Sequence, residues 1–142
     1  MKITYTKNLE NITAEMLAGF FVGWPNPPCP ITHLAILQKS YRAFVAIDEE
    51  CNQVVGFINA VSDGVLSAYI PLLEVVVSHQ KKGIGMELLR RMLAECQDLY
   101  MVDICHDVEL KPYYARFDAM ESCGSIFRNY DAQSGKANAN RL

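Results

Sequence analysis

The sequence predicts one mixed α/β (α+β) domain, a mainly antiparallel sheet ending in a parallel strand pair and flanked by about four helices. Two turn signals in succession, at residues 48–52 and 62–64, join three strand-like segments into consecutive antiparallel hairpins. Helical periodicity is clearest at residues 83–98, and a short apolar run at 100–105 follows it; strand, helix, strand implies a right-handed parallel crossover. The 142 residues, 51% hydrophobic and 20% charged, suit one packed core and neither a disordered chain nor a bare coiled coil. A chain of this length buries ~70% of its unfolded surface, so residues 1–130 are read as a single domain and the small, polar residues 131–142 as a frayed tail.

Residues 3–6 open the chain as a short strand. Thr13 stands where it can cap a helix whose Met16, Leu17, Phe20 and Phe21 recur at helical spacing. Four prolines within residues 23–30 stop that helix, and a second follows at 31–39. Residues 41–48 and 54–61 are strands joined at 48–52, and Asp63-Gly64 signals a tight type I′ turn into a long strand, residue 66 to about 77. Pro71 lies inside that strand and cannot donate to a ladder, so a bulge or a parting of strands is expected at Ile70-Pro71-Leu72. In the helix of 83–98, Ile84, Leu88, Leu89, Met92, Leu93 and Cys96 form one apolar stripe. Residues 100–105 then read as a buried strand. A helix follows from about residue 110 to before Asp118, with Pro112 in its first turn, and a last strand spans 123–130.

Composition excludes several functions. Lys+Arg of 13 against Asp+Glu of 16 gives a net charge of -3, without the basic excess of a nucleic-acid surface. Five cysteines, an odd number with no C-x-x-C pair, write neither a disulfide framework nor a zinc knuckle, and are read as reduced thiols in a cytoplasmic protein that needs no metal. The start has no apolar core of signal-peptide length and no segment has the length of a membrane span, so no membrane partner is expected.

The element that carries chemistry is Gln80-Lys81-Lys82-Gly83-Ile84-Gly85, between the long strand and the clearest helix. A helix start presents unpaired N–H groups and a positive dipole end, and glycines let an anion such as a pyrophosphate approach the backbone. The pattern is not a Walker A loop, and Leu88 stands where a dinucleotide fingerprint needs its third glycine.

Taken with the Pro71-bearing strand before it, residues 68–75, and with Leu110-Lys111-Pro112-Tyr113-Tyr114 and residues 126–130 after it, this loop resembles the GNAT superfamily of N-acyltransferases, in particular small bacterial acetyltransferases. The resemblance covers roughly residues 41–130. In that family the loop reads Q/R-x-x-G-x-G/A and binds the pyrophosphate of acetyl-CoA. It therefore implies acetyl-CoA as cosubstrate, a splayed strand pair, and cofactor contacts from Gln80, Lys81, Lys82, Gly83, Ile84, Gly85 and the backbone of Leu73, Val75, Val76 and Val77. Lys81 replaces a usual glycine, Val77 and His79 stand where Pro and Tyr are frequent, and Asp118-Ala119 replaces the Gly-aromatic pair that commonly ends the last helix.

Acetyl transfer to an amine needs a neutral nucleophile, an oxyanion stabiliser and an acid for a thiolate with pKa ~8.5. Periodicity alone makes Tyr113 and Tyr114 equivalent packing residues; the resemblance selects Tyr114 as general acid and cofactor contact. Glu74 is the only carboxylate on the long strand and is the candidate base, unless it faces the other side of the sheet or pairs with a lysine. His33, His79 and His106 are scattered, and Cys105 is read as a buried small hydrophobe rather than an acyl carrier. Trp24, in the proline-rich loop between the first two helices, is expected to wall a pocket for a small amine. The expected protein is an N-acetyltransferase, monomeric or homodimeric, working by direct transfer; the competing readings are a non-catalytic CoA or acyl-CoA sensor and a structural interaction domain.

Overall fold

Residues 1–135 are described by the computed structural model; of the expected tail, 136–142 lie outside the described residues. Strand-forming segments and tight turns build one five-stranded sheet in the order β1 (Ile3–Thr6), β2 (Arg42–Asp48), β3 (Gln53–Ser62), β4 (Ser67–Val75) and β5 (Met101–Ile104). Every neighbouring pair is antiparallel except β4 and β5, which are parallel and joined by a helical crossover. This is the mixed sheet expected from the sequence. Three α-helices flank it among the described residues: α1 (Pro30–Lys39), α2 (Ile84–Glu95) and α3 (Lys111–Ala115).

The sheet separates two apolar cores. One face carries Phe44, Ile58 and Ile70 against Leu88, Leu89 and Met92 of α2 and Tyr114 of α3. The other carries Val45 and Phe57 against Leu37 of α1 and Leu17 and Phe21 of the preceding segment. Gly56 allows α2 to lie close on β3, since a Cβ there would come within 3.1 Å of both Ile84 and Leu88. No helix among the described residues is long and apolar enough to cross a membrane.

Several expectations are corrected. The helix predicted from Thr13 is a single 3₁₀ turn, Ala14–Leu17, and Thr13 makes no side-chain cap. Met16, Leu17 and Phe21 are buried as their spacing implied, but the chain is already extended at Ala18 (ψ 148°), and the left-handed backbone of Gly19 (φ 91°) and Phe21 (φ 60°) beyond it reverses its course. The Asp63-Gly64 link is a four-residue loop rather than a type I′ turn. Gly64 has positive φ but Asp63 does not, and the Asp63 carboxylate instead accepts from the amides of Val65, Leu66 and Ser67. β5 is half-buried rather than buried, and Cys105 beyond it is exposed. Residues 123–130 make no strand. They enter no ladder and Phe127 is 92% exposed, since strand-forming side chains need a neighbouring strand to pack on. Beyond them Tyr130–Ala132 forms a 3₁₀ turn, and Gln133 Oε1 accepts from the Asn26 amide at 3.0 Å.

Candidate functional site

The site is built where β4 parts from β5. Pairing runs from Ser67↔Met101 to Ile70↔Ile104 and stops at Pro71, which has no N–H to continue it. On the other side of β4 the register slips at the same level, from Asn59↔Leu72 to Val61↔Tyr69, so Ala60 faces Ile70 and Pro71 together. The Val76 amide donates to Val55 O at 2.9 Å, which by the antiparallel alternation turns the backbone N–H and C=O of Leu72 and Glu74 toward β3 and those of Leu73 and Val75 toward the opened edge. Gln80 marks that edge, its Nε2 donating to Val75 O at 2.9 Å.

The loop that follows closes the end of this opening. A 3₁₀ turn, Val77–His79, is tied to β2 by His79 Nε2 and Asp48 Oδ2 at 2.9 Å, and this bond, followed by the Glu50 amide, holds the Asp48 carboxyl below the usual carboxylate range. Lys81 (φ 61°) and Gly83 (φ 84°) are both left-handed, and Gly83 precedes α2. The first long helical bond is Glu87 N to Gly83 O, so the earlier amides of α2 face the loop without intrahelical partners. A Cβ on Gly83 would meet nothing within 4 Å, which leaves the backbone approachable. Lys81 and Lys82 are exposed, and the only acid in the first turn of α2, Glu87, is held down to about 2 by Arg90 and Arg91, which turn its charge from the loop. Strand opening, bare amides and exposed lysines together suit a phosphorylated, extended ligand that lays a carbonyl along β4.

Comparison with known proteins agrees with this geometry. The acetyltransferase (GNAT) domain family matches residues 31–128. The chain belongs to the GNAT acetyltransferase family. A candidate acetyltransferase from Deinococcus radiodurans R1 shares 44% identity over 93% of this chain and 92% of that one, with a TM-score of 0.89. The fold is also that of a GNAT-family acetyltransferase from Streptococcus pneumoniae TIGR4, at 24% identity, 90% and 97% coverage and TM-score 0.70. A ribosomal-protein-alanine N-acetyltransferase from Brucella melitensis biovar Abortus 2308 shares it at 16% identity, 90% and 98% coverage and TM-score 0.63. No curated protein matches the sequence.

The GNAT frame explains two departures from the family pattern. Lys81 and Asp118 stand where glycine is usual, and both have φ near +60°, at 61° and 59°. The backbone is left-handed at both positions although neither residue is the one that adopts it most easily.

Other candidate residues fall on different sides of the sheet. Tyr114 is 7% exposed, stacks on His106 at 4.4 Å and belongs to the α2 core, and burial raises its phenol above the ordinary value. Tyr113, which sequence reasoning set aside, brings its hydroxyl to 3.1 Å from the place of a Gly85 Cβ, at the start of α2. Burial, then Tyr114, pushes the Tyr113 phenol to about 12, so both tyrosines stay protonated at neutral pH. The signal for Tyr113 was Gly85 itself, a small residue over which a hydroxyl fits. Val76 has spent its amide on Val55, and Val77 is exposed at the turn.

Glu74 points to the face opposite α2. Its Oε2 accepts from the Phe21 amide at 2.8 Å and its Oε1 from Val22 at 3.2 Å. Trp24 lies on the same loop, its ring 4.9 Å from that of Phe21. The structure thus brings Glu74 and Trp24 to one loop, and Gln80 through Gly85 with Tyr113 to the other. Among the described residues no three His, Cys, Asp or Glu side chains form a metal-holding group.

Proposed function

We propose that this GNAT protein transfers an acetyl group from acetyl-CoA directly to the amine of a small molecule or peptide. The observation that supports this most is the coincidence of the β4–β5 opening at Pro71 with the bare amides and lysines of residues 80–85 at the end of that opening. In this reading the pyrophosphate lies on the start of α2 beside Lys81, Lys82, Gly83, Ile84 and Gly85. The amides of Leu73 and Val75 hold the pantetheine and polarise the thioester carbonyl. The acceptor nitrogen forms the new C–N bond as the C–S bond breaks. Glu74 takes the proton of the amine, and Tyr114 gives a proton to the departing sulfur.

The two amides already on Glu74 favour a second reading, a CoA-binding sensor in which that carboxylate serves only to hold a loop. One experiment separates them. The protein is incubated with acetyl-CoA and a mixed panel of amines, while free thiol and product mass are followed. Thiol release matched by acetylated amine is expected; tight CoA binding with neither product leaves the sensor.

A further inference from the structure

His33 is the one buried histidine, and the acetyl-transfer scheme above does not use it. It lies on α1, 1% exposed, and neither Nδ1 nor Nε2 has a hydrogen-bond partner among the described residues. Its ring is enclosed by Phe57, Phe21 and Phe20, with centroids at 4.3, 4.9 and 5.2 Å. Orphaned polar atoms inside an aromatic core oppose folding, and a leucine of similar volume would fill the same space without them. An imidazole held this way is neutral, since burial pushes its pKa down to about 4, and it keeps one N–H and one free lone pair.

Phe21 is the one of these three rings whose backbone also reaches Glu74. Its ring covers His33, its backbone amide and that of Val22 are on Glu74, and its φ of 60° is a left-handed strain that a phenylalanine rarely bears. The segment is bounded by Gly19 (φ 91°) and Gly23 (φ 83°), where glycine makes backbone rotation cheap. One residue therefore occupies both groups that a protonated amine would seek, the Glu74 carboxylate by its N–H and the His33 imidazole by its ring.

We propose that Phe21 fills the acceptor seat in the closed molecule, and that an arylalkyl primary amine displaces it, setting its ammonium on Glu74 and His33 and its apolar body among Phe20, Trp24 and Phe57. The inference rests on the acetyl-transfer reading and names the class of acceptor for it. The ammonium replaces the Phe21 and Val22 amides as donor to Glu74, His33 accepts a second N–H, and the aromatic rings receive the cation and the apolar body. An amine without an apolar body cannot replace the Phe21 ring and stays weak.

Trp24 is the only tryptophan of the chain and packs on Phe21, so its fluorescence reports the displacement. CoA-bound protein is titrated with 2-phenylethylamine, with methylamine as the control. Wild type should show a saturable change with the first amine at concentrations where the second gives none. His33→Leu should bind 2-phenylethylamine ~10-fold or more weakly, with CoA affinity unchanged and melting temperature not lowered, because two orphaned polar atoms are gone. His33→Gln, which restores an acceptor atom, should recover most of the affinity and also serves if the leucine variant fails to fold. Equal affinity in wild type and both variants, or no saturable change in wild type, overturns the inference. The two readings fail separately. Unchanged binding in His33→Leu alongside wild-type acetyl transfer leaves the enzyme standing without this seat. His33-dependent binding with no acetylated amine leaves the seat without the enzyme.

Discussion

Two short loops meet the end of β4 from opposite faces of the sheet, and they are built in opposite ways. Residues 77–85 are open, with exposed lysines, bare helix-start amides and empty space over Gly83. Residues 19–24 are shut, with Phe21 buried and both its amide and the next held by one carboxylate. The first prepares a binding surface from backbone, so any ligand with the right charge and reach finds it ready. The second is made of side chains that already satisfy one another, and a ligand must win those contacts before it can enter. In the proposed reading, a preformed cosubstrate seat and an acceptor seat that must open would give an ordered reaction a physical origin.

The largest expected effect breaks the open side. Gly83→Glu puts a carboxylate where phosphate should lie, and CoA affinity measured by calorimetry should fall by ~100-fold or more. The fold should persist, since the space is empty and the strain of a side chain at φ 84° is only ~1 kcal/mol. Unchanged affinity in the folded variant would sink the cofactor assignment.

The tyrosines of α3 lie on the open side, Tyr113 by Gly85 and Tyr114 in the core under α2. Tyr114→Phe should lower kcat by ~10²-fold with acetyl-CoA binding retained, whereas Tyr113→Phe, whose hydroxyl lies by Gly85, should act mainly on CoA affinity. The reverse outcome would transfer the acid role to Tyr113.

Glu74→Gln breaks the closed side. kcat/KM should fall ~10-fold or more near neutral pH and recover in part at high pH, where more of the acceptor is already neutral. The free amine gives a rising limb of its own, so only the comparison with wild type decides. Identical profiles and rates would reduce Glu74 to the strut of the Phe21 loop.

What the sequence revealed divides along the same line. Gln80, Gly83 and Gly85 announce their loop because backbone exposure demands glycine at fixed offsets, and Pro71 announces an irregularity because a missing N–H must interrupt a ladder, here as a register slip against β3 and a parting from β5. The shut loop carries no such demand. Met16, Leu17 and Phe21 gave a correct reading of burial and a wrong one of winding, since a 3.6 period over so few residues is satisfied by one 3₁₀ turn and a reversal. His33 was invisible as a site because its meaning lies in what surrounds it. Phe20, Phe21 and Phe57 reach it from another loop and from β3, and no spacing along the chain records that.

A smaller effect sharpens the electrostatics of the open side. Glu87 has its carboxyl lowered to about 2 in the folded protein, against ~4.3 in the unfolded chain. A depressed carboxylate stabilises above its unfolded pKa and loses that contribution as pH falls toward the folded value. Since the Arg90 and Arg91 pairs are partly solvated, about 1 kcal/mol is expected, lost between about pH 4.5 and 2. Denaturant unfolding of Glu87→Gln should lack that portion of the pH dependence; a full wild-type slope in the variant would assign it to other carboxylates.

The smallest effect concerns the left-handed positions held by residues other than glycine. Asp118 (φ 59°) follows α3, and its amide donates to Ala115 O at 3.1 Å. Asp118→Gly relieves a left-handed penalty of ~1 kcal/mol, and the greater freedom of glycine in the unfolded chain offsets part of it, leaving ~0.5 kcal/mol of stabilisation. CoA affinity should not change, because this turn lies beyond α3 and not on the phosphate loop. The same exchange at Lys81 (φ 61°) relieves the same strain but also removes a charge from that loop, so Lys81→Gly should match Asp118→Gly in stability and differ in weakened CoA binding. If Asp118→Gly instead lowers stability by more than ~0.5 kcal/mol, the aspartate side chain outweighs the backbone relief.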